Sequence, residues 1–158
     1  MWYALTMRPA VVVSAALLAL AGCSSDEPGP APTVPRVVLS VAGDYPTTVT
    51  VTESTCPDLA VQPNVTAVAH REGSTNVTLI HADQSYAGTV TPSGAFTLVP
   101  KAVDLGNGVT HTIAIDGTFS TTGFTATVKA TVTTNSQPTC AYTVAWVGTK
   151  DGPPNTIP

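Results

Sequence analysis

Between Phe124 and Thr133 the side chains alternate without a break. Phe124, Ala126, Val128, Ala130 and Val132 take one parity, and Thr125, Thr127, Lys129, Thr131 and Thr133 take the other. Successive residues of a strand point to opposite faces, so a period of two over this length implies a ribbon with one dry and one wet face. A helix, with a period of 3.6, cannot present that pattern. The alternation recurs in Cys140, Tyr142, Val144 and Trp146, and in Val109, His111, Ile113, Ile115 and Phe119, where Gly117 suggests a bend or bulge. Weaker runs cover Val37 to Val41, Thr47 to Glu53, Val65 to His70, Thr75 to His81, Tyr86 to Thr91 and Ala95 to Val99. Composition agrees with strands: 27 Thr and 21 Val stand against few Leu, Glu, Lys and Met, which weighs against a helical bundle.

The runs are separated by turn chemistry: Glu72-Gly73-Ser74, Pro92-Ser93-Gly94, Asn107-Gly108 and Thr122-Gly123. Links this short make hairpins and leave no room for crossover helices, so parallel α/β architectures are excluded. The expected fold is all-β, an antiparallel meander of about eight or nine strands over residues 36–150. A small barrel is preferred to a two-layer sandwich, because short links suit a meander and closure removes exposed edges.

The N-terminus carries a different signal. Arg8 precedes an apolar run from Val11 to Ala21, which ends in Leu20-Ala21-Gly22-Cys23. The run is too short to span a bilayer and has the order of charge, apolar stretch and small residues seen in secretory signals. The quartet resembles the lipobox of bacterial lipoproteins. That resemblance implies a signal peptide over residues 1–22, with Met7 an alternative start, and a Cys23 that is diacylated and becomes the first mature residue. Residues 23–35 then form a Pro- and Ser-rich tether, and the Pro-rich residues 151–158 read as a flexible tail. The expected location is the bacterial cell envelope, lipid-anchored and outside the cytoplasm; Ser24 in place of Asp favours the outer membrane if the source has one. The rest of the chain resembles bacterial secreted all-β proteins that carry no assigned activity.

With Cys23 acylated, Cys56 and Cys140 remain. Pairing them in an oxidising compartment would join early and late strands, as barrel closure requires. Free thiols or a metal pair are the rival readings, and the absence of Cys-x-x-Cys spacing weighs against them.

Little else in the sequence points to chemistry. His70, His81 and His111 could share an interior face as a metal or proton-transfer site, although none has the local spacing of a chelate. There is no nucleophile elbow, phosphate loop or His-Glu-x-x-His run, so neither an enzyme nor a cofactor or metal site is expected. A net charge of −4 with six scattered Lys and Arg offers no basic stripe, which excludes nucleic acid as a partner. Tyr142 and Trp146, on one strand face, are the candidate ligand-facing pair, with core packing the favoured reading of both. The expected partners are membrane lipid through Cys23 and an envelope protein or small-molecule ligand. The expected role is a non-catalytic binding or structural module, with an envelope inhibitor of lysozyme or protease and a small apolar ligand carrier as alternatives.

Overall fold

The computed structural model describes residues 36–158. The expected signal peptide, Cys23 and the expected tether lie outside the described residues. Nine strands and no helix occur among the described residues: β1 (Gly43–Ser54), β2 (Asn64–His70), β3 (Asn76–His81), β4 (Gln84–Val90), β5 (Ala95–Leu98), β6 (Lys101–Gly106), β7 (Val109–Ser120), β8 (Gly123–Thr134) and β9 (Gln137–Thr149). All pairings are antiparallel, in the order β5-β4-β3-β2-β1-β9-β8-β7-β6, and β5 also pairs with β7. That last pairing closes eight strands into a barrel and leaves β6 as an extra strand. The expected meander and barrel are therefore what forms, and the sandwich is not.

The closing seam is irregular. Phe96 lies opposite Gly117 and Lys101 opposite Ile113, so β5 and β6 run along the same edge of β7 with a one-residue offset around Val99 and Pro100. Pro100 has no N–H to give to a ladder. Beyond it β6 continues along β7 while β4 diverges, and the side chain of Lys101 bridges the gap by donating to Ser85 O and Gln84 Oε1, both at 3.1 Å. The wall is thus tight at one end and split at the other.

The strand inventory differs from expectation at two places. Val37 to Val41 forms no strand, only a single bridge between Ser40 and Thr156, so Cys56 follows the first strand and not the second. Lys101–Gly106 is a strand that reads poorly, because it has a regular partner on one side only and half-exposed apolar positions gain little from alternation. Gly117 marks no bulge, since the β7–β8 register runs through it unbroken. A Cβ there would collide with the ring of Phe96, the carbonyl of Thr125 and the Cβ of Ala126, so glycine is needed for close approach.

One end of the barrel is filled and strapped. Tyr45, Phe96, Phe119 and Phe124 pack with ring centroids 4.8–6.2 Å apart, and Phe124 lies over Gly148, where a side chain would displace it. Residues 151–158 are folded rather than flexible, and the domain extends to Pro158. Asn155 is only 5% exposed; its N–H donates to Thr121 O and its Nδ2 to Ser120 O. Thr156 pairs with Ser40, and Leu39 O accepts from Gly73 N. A strap therefore runs from the β2–β3 turn through Leu39, Ser40, Thr156 and Asn155 to the β7–β8 turn, which lies on the opposite wall in the strand order. Proline richness excludes regular secondary structure but not fixed contacts, which explains the mistaken expectation for the tail.

The hydroxyl of Tyr45, fully buried, ties the strap to the core. Its single hydrogen is shared between Val41 O and Asn155 Oδ1, each at 2.7 Å. Burial pushes its pKa up to about 12, against a smaller lowering by the Asn155 bond. Tyr45→Phe leaves both acceptors buried without this donor and is expected to cost about 1–3 kcal/mol in urea unfolding. A loss under about 0.5 kcal/mol, the size of a surface change, would show that the strap does not depend on this hydroxyl.

Candidate functional site

At the opposite end the barrel opens into a cavity of about 190 Å³ lined by Trp146, His81, Tyr86, Tyr142, Ile113 and Gln62 among others. Inward parity supplies these side chains from β9, β3, β4 and β7. Gln62 and Val61 arrive on the loop between β1 and β2. The disulfide between Cys56 and Cys140, with a Cα separation of 5.0 Å, fixes the start of that loop to β9. It extends the β1–β9 ladder past its last pair, Ser54 and Tyr142. The expected cysteine pairing is thus the one the structure contains. Wider hollows on the outer wall, such as that over Glu53, Lys129 and Thr143, are lined by solvent-facing strand residues.

The candidate ligand-facing residues Tyr142 and Trp146 both line the mouth. Trp146 is buried and stacks on His81, with centroids 4.1 Å apart and planes 30° from parallel. Tyr142 Oη lies 3.2 Å from His111 Nδ1. Burial raises the pKa of Tyr142, and that of Tyr86 as well, where the neighbouring Tyr142 adds to the effect. Lys101 Nζ stands 5.5 Å from the centre of the Tyr86 ring, where the split seam meets the mouth.

The three histidines do not converge. His81 and His111 lie toward the mouth, whereas His70 is at the strapped end, where its Nε2–H donates to Ser74 O at 3.0 Å and its Nδ1 has no partner. No group of three metal-binding side chains occurs among the described residues. The three do not share a site because β2 and β3 are antiparallel and Thr66, not His70, is the residue opposite His81.

A buried polar file that sequence reading missed leads to His81. Thr47, Thr66 and His81 are 2%, 0% and 9% exposed. Thr47 Oγ1 donates to Tyr45 O at 2.7 Å and lies 2.8 Å from Thr66 Oγ1, which lies 2.8 Å from His81 Nδ1. A hydroxyl has one hydrogen. Because Thr47 spends its hydrogen on the carbonyl, Thr66 must donate to Thr47, and His81 Nδ1–H must then donate to Thr66. The network fixes the Nδ1–H tautomer and leaves Nε2 as an acceptor with no partner among the described residues. Inward Thr at positions 47 and 66, on strands whose inward neighbours are apolar, was the available signal.

Two outcomes follow from this geometry. Replacing Cys56 and Cys140 by Ser together should lower stability by an amount approaching roughly 4 to 5 kcal/mol, the chain-entropy value for a separation of 84 residues, in paired denaturant titrations. Burial also holds the His81 imidazole below its ordinary pKa of 6.5. The unfolded chain therefore binds this proton first, so the group's contribution is intact above about 6.5 and is lost as pH falls below it, toward the lower folded value. Thermal midpoints should decline in that acid range, and His81→Asn should flatten the decline; an unchanged profile in the variant would assign it to other groups. No family model matches the chain, and no curated protein or solved structure matches it either.

Proposed function

We propose that the protein is a lipid-anchored binding module of the bacterial cell envelope, held at the membrane through an acylated Cys23 and facing outside the cytoplasm. It is non-catalytic and receives a small ligand, or a projecting side chain of an envelope partner, in the barrel mouth. The observation that carries this reading is the contrast between the two ends: one is packed with Tyr45, Phe96, Phe119 and Phe124 and crossed by a strap, the other opens onto an aromatic cavity. Arg36, the first described residue, lies with Gly73, Pro92 and Pro158 at the packed end, away from the mouth. The disulfide fits an extracytoplasmic setting.

The dimensions narrow the ligand. About 190 Å³ is below the 300 Å³ or so at which drug-sized sites begin, and the packed rings fill the barrel beneath it. The carrier alternative therefore contracts to molecules of one or two rings. Binding is favoured over acid–base chemistry because the residues lining the cavity include no carboxylate to partner His81.

Membrane fractionation after Cys23→Ser tests the anchor: the variant should leave the membrane pool and lose palmitate label, and full retention would overturn the anchoring. The mouth is tested separately. Trp146 is the sole tryptophan of residues 36–158, so its emission reports occupancy. Saturable blue shifts with small, non-absorbing cyclic compounds are expected, and an emission indifferent to all of them would remove the binding role of the mouth.

A further inference from the structure

The residue that sets the chemistry of the mouth is His81. It is only 9% exposed and lines the cavity, its Nδ1–H is consumed by Thr66, and its Nε2 has no partner among the described residues. An occupant of the cavity shields this acceptor from water, and an acceptor left unmade away from water is costly, so an occupant that supplies a donor gains and one that cannot is penalised. The surrounding surface is aromatic and apolar: Trp146, Tyr86, Tyr142, Ile113, Val128 and Val144. A cavity of roughly 150 Å³ accepts a benzene ring in an apolar interior, and this one measures about 190 Å³. A charged donor is disfavoured. No carboxylate lines the mouth, an ammonium would lose its hydration there, and Lys101 already stands over Tyr86.

We infer that the mouth binds a neutral aromatic molecule of one or two fused rings that donates one N–H or O–H to His81 Nε2. This deepens the binding-module reading and rests on it. The direction of the bond is set by the protein: the file from Tyr45 O through Thr47 and Thr66 forces His81 to accept at Nε2. A ligand that only accepts faces a lone pair at His81 and gains no bond there. Trp146, stacked on the imidazole at 4.1 Å, holds the ring plane in place and limits the directions from which the donor can approach.

Residues 36–158 contain every strand of the barrel, the strap and the disulfide, and lie within one compact unit of the chain. On this fragment, nitrogen NMR of the imidazole should show Nδ1 protonated and Nε2 bare at neutral pH; the opposite tautomer overturns the inference. Indole and benzofuran have the same ring frame, but benzofuran replaces the N–H by oxygen. Titration followed at the Trp146 and His81 nitrogens should give indole an advantage of about tenfold or more. His81→Asn retains a donor at the Nδ1 position for Thr66 but has nothing at Nε2, and should bring the two probes level. His81→Gln places an amide oxygen at the Nε2 position and should restore part of the preference. Equal binding of both probes to the unaltered protein overturns donor recognition while leaving the mouth an aromatic site. Binding of neither overturns the inference, and the binding-module reading is then decided by the Trp146 emission titration with cyclic compounds.

Discussion

Closure of the sheet at β7 is the constraint from which the two unlike ends of this barrel follow. β7 accepts β5 along one stretch and β6 along the next, and the two partners are out of step by one residue around Pro100. A proline cannot donate to a ladder, so the seam cannot continue uniformly along the barrel. At the β5 end the ladder is complete, which brings Phe96 close enough to require glycine at 117. At the β6 end the seam edge of β4 is left without a strand partner, and the amine of Lys101 substitutes for backbone hydrogen bonds. A wall that is continuous at one end and split at the other packs solid at the first and opens at the second.

The packed end uses the segments that flank the barrel strands, residues 36–42 and 150–158. In a small barrel the ends of the interior need cover as much as the sheet edges need partners. Here Leu39, Val41 and Ile157 supply apolar cover, and backbone bonds from Gly73 to Thr121 hold the two flanking segments side by side across the opening. Lys150 adds an outer layer: it donates to Ala42 O and places its ammonium 4.7 Å from the centre of the Tyr45 ring. Desolvation lowers its pKa, opposed by the nearby Asp44 and Asp151 carboxylates.

Alternation made the architecture legible wherever a strand buries one face between two neighbours, as Phe124 to Thr133 and Cys140 to Trp146 do. It failed where that condition fails. β6 has one regular neighbour, and Val37 to Val41 has the composition of a strand but crosses the barrel end as part of a strap. Turn chemistry was read through glycine, so Asn107-Gly108 was evident, whereas Ala82-Asp83 and Asn135-Ser136, also left-handed at both central residues, were not. Ala82 in that conformation pays a steric penalty that glycine would avoid; it borders the mouth directly after His81. Of the candidate site, Tyr142 and Trp146 were legible as aromatics on one face. The role of His81 was not, because it depends on which atoms lie opposite one another across β1, β2 and β3. Parity in a single strand does not carry that information.

Buried threonines in an apolar barrel are expensive unless every hydroxyl is satisfied. Thr47 and Thr66 meet that requirement in only one order, because the file begins at a carbonyl, which can only accept. Each hydroxyl then passes its hydrogen toward Tyr45 O, and the last member must give a proton at Nδ1 and hold a lone pair at Nε2. Reversing the His81 tautomer would leave two acceptors 2.8 Å apart somewhere along the file. The same tyrosine that starts this file at its carbonyl ends the strap at its hydroxyl. The packing of one end and the hydrogen-bonding polarity of the other are therefore set from a single residue, and a change in how Tyr45 sits would reach the mouth through two threonines without moving a strand.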